Sequence, residues 1–285
     1  MIDIRQSQNY AKYMKSLDWS VERIAEINYF IKKVPLLGAI LKVQRPEEIR
    51  IDTVDGLCRK YGVFQLIIEP KNNFDAEYLT SLGFKLAQST YLPSKTLQID
   101  LTKSSKTILE NFKKDVRYAL RKGGDLKLKE YSTSEDIRIL RKEWQKAVKL
   151  KRFVPSTEQL IKLKKSFPQS NSLFLMSHNI SGSALGGAIF TTSSHGSIKD
   201  IAYYWQAFTN KEGRALLSQY SLLFQGILWA KKNGFKVFDF EGVYDSRFPN
   251  KSWLGFTHFK EAFGGYEVEY PGTYVKYRLP FGFAK

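Results

Sequence analysis

The sequence predicts an α/β chain made of two related halves, and three observations carry that expectation. Apolar runs of strand length alternate with segments of helical periodicity. A helix, a glycine stop and a Phe-Lys strand start occur twice, as Leu82-Gly83-Phe84-Lys85-Leu86 and as Asn233-Gly234-Phe235-Lys236-Val237, which suits a duplicated unit. The positive charge gathers between the halves: residues 102–165 hold 19 Lys and Arg against 8 Asp and Glu, an excess of +11 out of +17 for the whole chain. With 285 residues, 43% of them hydrophobic, the chain is long enough for one large domain or two ordinary ones.

In the first half, residues 38–45 read as a strand and 46–61 as a helix. Residues 63–69 form an apolar strand that Pro70 stops, 74–82 a short helix closed by Gly83, and 96–101 another strand. The basic region follows. Thr107-Ile108-Leu109-Glu110 reads as a capping box. The helix it opens sets Ile108, Phe112, Val116, Ala119 and Leu120 on one face, with Lys113, Lys114, Arg117, Arg121 and Lys122 opposite, until Gly123-Gly124. A second helix begins near Ser134 and buries Ile137, Leu140, Trp144 and Val148. It carries Glu135 and Asp136 in its first turn and ends in Lys149, Lys151 and Arg152, an order that suits the helix dipole. Ser156-Thr157-Glu158-Gln159 caps a third. In the second half, residues 173–177, 184–192 and 200–206 read as strands. Residues 212–233 read as a helix with Gly234 at its C-cap, 235–240 as a strand, and 266–270 and 274–277 as closing strands.

The single cysteine, Cys58, excludes an internal disulfide framework and suits a reducing compartment; it reads as a small buried residue. No apolar run reaches membrane-spanning length, and Met1-Ile2-Asp3-Ile4-Arg5 lacks the apolar core of a signal peptide, so a soluble cytoplasmic protein is expected. His178, His195 and His258 show no metal-ligand spacing, and no Gly-x-Ser-x-Gly elbow occurs, so neither a metal site nor a hydrolase nucleophile is expected. The basic tract is either a set of solvated helix faces or the contact for a polyanion, and its asymmetry favours the polyanion.

The most specific stretch lies in the last third. It reads Tyr203-Tyr204-Trp205-Gln206-Ala207, then the amphipathic segment to Gly234, then Phe235-Lys236-Val237-Phe238-Asp239-Phe240, and finally Gly255-Phe256-Thr257-His258-Phe259-Lys260-Glu261-Ala262-Phe263-Gly264-Gly265. This pattern resembles the signature of the Fem (FemABX) aminoacyltransferases, in their compact form without a helical arm. The resemblance is strongest over residues 203–274 and moderate over 97–122. It implies two tandem GNAT-like acyltransferase domains, residues 1–103 with 271–285 and residues 104–270, the C-terminal tail returning to the first. It further implies transfer of an amino acid from aminoacyl-tRNA to an amine of a peptidoglycan-precursor stem peptide. The precursor would be lipid-linked or nucleotide-linked, and the enzyme would make peripheral contact with the inner membrane face. Aminoacyl-tRNA would be the co-substrate, with no further cofactor.

The same resemblance assigns residues. It implies that the Lys260 ammonium stabilises the tetrahedral intermediate near the 3′ end of the tRNA, with Phe259 beside it; otherwise Lys260 is a solvated lysine on a short helix. Glu69, before Pro70, would hold the attacking ammonium or take its proton; otherwise it is a strand end meeting solvent. Tyr204 would contact the precursor or lie in the core. For the precursor's diphosphate, the expected N-terminal lysine falls on Met14, flanked by Lys12 and Lys15. The expected Thr-x-Arg falls near Val154 and Ser156, just after Lys151 and Arg152. Those four cations, with Arg45 of Gln44-Arg45-Pro46, are the candidates. Arg117, Arg121 and Lys122 would meet the tRNA. Two alternatives remain open. Asn210-Lys211-Glu212-Gly213-Arg214-Ala215 partly matches the pyrophosphate loop of CoA-dependent GNAT N-acyltransferases. The displaced acceptor cations would suit a non-catalytic RNA- or membrane-binding protein on the same scaffold.

Overall fold

The computed structural model describes residues 1–149, 152–168, 170–196 and 198–278. The chain divides into two compact units: one of Met1, Thr96–Val243 and Ser252–Glu267, the other of Ile2–Lys95, Tyr244–Lys251 and Val268–Lys285.

The smaller unit opens with helix α1 (Gln8–Ser16), the meander β1 (Ser20–Ile24), β2 (Ile27–Val34) and β3 (Gly38–Gln44), then α2 (Ile51–Tyr61), β4 (Val63–Glu69), α3 (Asn73–Ser81) and β5 (Lys85–Leu86). The larger unit holds β6 (Lys95–Asp100), α4 (Ser105–Glu110), α5 (Lys114–Lys122), β7 (Lys127–Glu130), α6 (Ser134–Val148) and α7 (Thr157–Ser166). It continues with β8 (Ser172–His178), β9 (Ala184–His195), β10 (Ile198–Thr209), α8 (Lys211–Ala215), α9 (Ser218–Lys232), β11 (Val237–Asp239), α10 (Leu254–Glu261) and β12 (Tyr266–Glu269). Strand β13 (Tyr274–Tyr277) follows.

The duplication anticipated from the Gly-Phe-Lys repeat is visible strand by strand. One sheet runs β1-β2-β3-β4-β13-β5 and the other β12-β6-β11-β10-β9-β8-β7. In each, an antiparallel meander passes through a helical crossover into a parallel strand: β3 to β4 through α2, and β10 to β11 through α8 and α9. In each, a strand distant in sequence pairs antiparallel with that parallel strand, β13 with β4 and β6 with β11. The C-terminal tail therefore returns to the first sheet, pairing Tyr274 with Ile68 and Tyr277 with Gln65. Strand β6, grouped on sequence with the first half, is a strand of the second sheet, because its partner is Val237–Asp239. Each unit buries its own apolar cluster, one around Tyr29, Leu41 and Ile68, the other around Phe190, Phe238 and Phe263. Cys58 is buried and unpaired in the first cluster, as expected.

Several element boundaries differ from those read from sequence. The helix expected from residue 46 starts only at Ile51, after Arg45 takes a left-handed φ of 47° ahead of Pro46. The continuous basic helix expected from residue 107 is two helices, α4 capped by Ser104 and α5. Lys113, at the break, is extended, and its N–H donates to the Ala262 carbonyl at 2.8 Å, a tertiary contact that overrides the amphipathic periodicity. The long helix 212–233 is likewise broken at Leu217, with φ 56°. Helix α1, the β1–β2 hairpin and β7 carried no reading on sequence. The capping box at Ser156 and Gln159 is present.

Candidate active site

The candidate site of the larger unit forms where two parallel strands part. β10 and β11 pair from Ile201–Val237 to Tyr203–Asp239, and there β11 ends while β10 runs on to Thr209 with a bulge at Trp205. The Asp239 carboxylate ends the strand. It is buried and accepts from Thr96 Oγ1 at 2.8 Å, Gln98 Nε2 at 2.8 Å and the Glu241 amide at 2.7 Å. A side chain that captures the amide two residues on is a turn-former. Glu241 and Gly242 accordingly take φ of 55° and 104°.

The parting leaves a cavity of about 500 Å³. Its walls come from Tyr204 to Thr209 of β10, from Leu217, Gln219 and Tyr220 at the start of α9, from Trp253, Phe256, Phe259 and Lys260, and from Glu241, Arg152 and Arg214. Lys260 is only 7% exposed. Its ammonium donates to the Phe240 carbonyl at 2.7 Å and the Gly242 carbonyl at 2.6 Å, leaving one of its three N–H groups. The Phe256 and Tyr204 rings stand 4.9 and 5.8 Å from its nitrogen. Burial lowers its pKa to about 8, against the opposing pull of Glu241 and Asp239. The solvated-lysine alternative is thus excluded. Tyr204 is buried; its hydroxyl accepts from Gln219 Nε2 at 2.6 Å, and burial raises its pKa, so the phenol stays protonated. Phe259 packs edge-on to both Tyr220 and Phe263, with ring centres 4.9 and 5.5 Å apart.

The two glycines after Phe263 serve the fold. A Cβ on Gly265 would stand 2.4 Å from the Gln98 carbonyl oxygen, and φ there is 102°. The Phe-Lys half of the motif therefore faces the cavity, and the Gly-Gly half lets the chain pass β6. Gly213 is set by packing as well, since a Cβ there would lie 2.3 Å from the Leu185 carbonyl oxygen. Its amide donates to Asn210 Oδ1 at 2.7 Å. The turn that partly matches a pyrophosphate loop thus has that N–H engaged by its own cap.

Of the residues singled out on sequence, Lys260, Phe259, Tyr204 and Arg152 line one cavity; Lys151 lies outside the described residues. Glu69, Arg45, Lys12 and Lys15 belong to the smaller unit. Glu69 is buried rather than a solvated strand end, and its carboxylate accepts from Leu92 N at 2.7 Å, Gln44 Nε2 at 2.8 Å and Thr273 Oγ1 at 2.9 Å. Arg45 is buried too: its guanidinium donates to Asp3 at 3.1 Å, bonds the Pro93 carbonyl and lies 3.5 Å over the Tyr270 ring. Asp3 is held below the usual carboxylate range by Arg5 and Arg45, against the opposing effect of burial. Lys12 and Lys15 are exposed on α1, while Met14 between them is buried. On α5, Arg121 and Lys122 are exposed, whereas Arg117 donates to the Glu110 carbonyl at 3.1 Å and to the Phe112 carbonyl, closing the end of α4.

Sequence reasoning missed Glu241, Gln219 and the aromatic wall of Tyr220 and Trp253. A carboxylate between the end of an apolar strand and Gly242 was the available signal for Glu241.

No family model and no curated protein matches this sequence. Solved structures do match along nearly the whole chain. The FemX crystal structure superposes with a TM-score of 0.80 at 15% identity, over 97% of this chain and 92% of that one. The C-terminal domain of a candidate lysylphosphatidylglycerol synthetase from Agrobacterium fabrum does so with 0.63 at 13% identity, over 95% and 88%. A tandem GNAT protein from the clavulanic acid biosynthesis pathway does so with 0.53 at 11% identity, over 92% and 86%. At these identities the likeness establishes the fold, and the chain consists of two GNAT-like α/β domains in tandem.

Proposed function

We propose that this protein is an aminoacyltransferase that carries an amino acid from aminoacyl-tRNA to an amine of a peptidoglycan-precursor stem peptide. The observation that carries the reading is the buried Lys260 ammonium, with one unused N–H, in an aromatic-walled cavity. The whole-chain likeness to FemX supports it.

The chemistry follows from the donor. The ester of an aminoacyl-tRNA is already activated, so the enzyme must align two substrates, stabilise an oxyanion and let a proton pass. The acceptor nitrogen attacks the ester carbonyl carbon, and the carbonyl oxygen takes the negative charge. The third N–H of Lys260 meets that oxygen. As the intermediate collapses, the C–N bond stays, the bond to the ribose oxygen breaks, and the amine's proton ends on that oxygen. Phe256, Phe259 and Tyr220 exclude water from the reacting carbonyl.

The basic surface supports a tRNA donor, through exposed Arg121 and Lys122 on α5. The engaged Gly213 amide speaks against a CoA pyrophosphate at α8. Peripheral contact with a membrane, and hence a lipid-linked precursor, is supported by the β2–β3 hairpin tip: Leu36 and Leu37 are exposed there beside Lys32 and Lys33. Among the described residues no helix is long and apolar enough to cross a membrane. Incubating the protein with aminoacyl-tRNAs and purified precursors, then weighing the stem peptide by mass spectrometry, tests the proposal; an unchanged stem peptide would reject it.

A further inference from the structure

We propose that Glu241 reads the free α-ammonium of the aminoacyl donor, so that the cavity selects aminoacyl esters over acyl esters that lack that charge. The inference rests on the aminoacyl-transfer reading above and names what that same cavity recognises.

Among the described residues that line the cavity, Glu241 is the one carboxylate. Its place is fixed by backbone. Its amide donates to the buried Asp239 carboxylate at 2.7 Å, and it holds a left-handed φ of 55°, which a side chain other than glycine adopts only where its surroundings impose it. The Lys260 ammonium binds the carbonyls of Phe240 and Gly242, the residues on either side of Glu241. One three-residue turn therefore fixes both a cation and an anion at the cavity wall. A second acceptor stands in the same wall: Gln219 Oε1 is buried and lacks a hydrogen-bond partner, while its amide nitrogen serves Tyr204.

The reacting group has the matching pattern. In an aminoacyl ester the ammonium sits one carbon from the carbonyl that becomes the oxyanion. The transition state thus places positive and negative charge a few bonds apart. Lys260 answers the oxyanion, and Glu241 with Gln219 Oε1 answers the ammonium. In a cavity walled by aromatic rings such charge-assisted contacts are strengthened by the loss of water. An acyl group without an α-ammonium would forgo the charge-assisted contacts to Glu241 and Gln219 Oε1, so the amino form is favoured by what those contacts add.

The test uses a mixture of aminoacyl-tRNAs and the same mixture deaminated with nitrous acid. Deamination exchanges the α-ammonium for a hydroxyl of similar size and leaves the ester intact. Transfer to the precursor is counted by mass spectrometry as amide product. The wild type should prefer the amino form by roughly ten- to hundredfold, the factor expected for a hydrogen bond to a charged group. Glu241→Gln should lose that preference through slower use of the amino form, and Glu241→Asp should keep part of it. Equal use of both donors by the wild type would overturn the proposal. So would a Glu241→Gln protein that slows on both donors alike, since that pattern belongs to a proton acceptor for the attacking amine. If neither form gives product with the wild type, the aminoacyl-transfer reading itself falls. If both give it equally, only the role of Glu241 does.

Discussion

The Lys260 ammonium donates a 2.6 Å hydrogen bond to the carbonyl of Gly242, and a second, at 2.7 Å, goes to Phe240. The lysine thereby ties α10 to the turn that ends β11, and the turn keeps the ammonium at the point where β10 and β11 part. Replacing Lys260 with alanine should lower kcat on the order of a hundredfold or more, the typical loss for one oxyanion-stabilising group, and leave tRNA affinity nearly unchanged. Single-turnover kinetics beside filter binding would show the split; a loss confined to tRNA binding would contradict the assignment.

Lys260 also sets a pH limit. Burial lowers its pKa to about 8, so the ammonium is present below that pH and lost above it. The acceptor amine must be neutral to attack, which favours higher pH. The rate should therefore climb with pH and then fall as Lys260 deprotonates near 8. A rate that keeps rising well above that pH would contradict a role for an ammonium with that pKa.

The cations of α5 should separate into two kinds. Charge reversal at Arg121 and Lys122, both exposed, should weaken tRNA binding and flatten its dependence on salt, by roughly one unit or a little less for each phosphate no longer neutralised. Arg117→Ala should instead lower thermal stability, because its guanidinium satisfies the Glu110 and Phe112 carbonyls. Salt titrations of binding, run beside melting curves, would reveal a tract with one undifferentiated role if the three variants behaved alike.

Glu69→Gln should destabilise the smaller unit by about 1–3 kcal/mol, since an amide nitrogen would replace one acceptor oxygen amid three donors. Urea denaturation measures this directly. An unchanged midpoint together with lost transfer would return Glu69 to the chemistry that the Fem resemblance assigns it.

Much of this architecture is legible in the sequence because local rules and tertiary packing agree. The strand 63–69 stopped by Pro70, the Ser156 capping box and the Gly-Phe-Lys repeat each state their structure within a few residues. The break at Lys113 is not legible, since a distant acceptor, the Ala262 carbonyl, interrupts a pattern that reads as one helix. Of the residues that line the cavity, Lys260, Phe259 and Tyr204 are singled out by motif. Arg45 reads on sequence as a cation for the precursor's diphosphate, but the Asp3 and Tyr270 partners that bury it lie far from it along the chain. Glu241 escapes because its meaning depends on where β11 ends relative to β10, a property of strand pairing that no local pattern encodes.

The most direct test compares donors. The purified protein would be given a cell-wall precursor together with either radiolabelled aminoacyl-tRNAs or radiolabelled acetyl-CoA, with and without ribonuclease, and the label in the stem peptide counted. The proposed function predicts transfer from aminoacyl-tRNA that ribonuclease abolishes and excess CoA leaves untouched, because the Gly213 amide is already engaged by Asn210 while Arg121 and Lys122 on α5 are exposed cations of the kind that contact phosphate. Robust transfer from acetyl-CoA in the absence of RNA would contradict that account and make the protein a CoA-dependent acyltransferase.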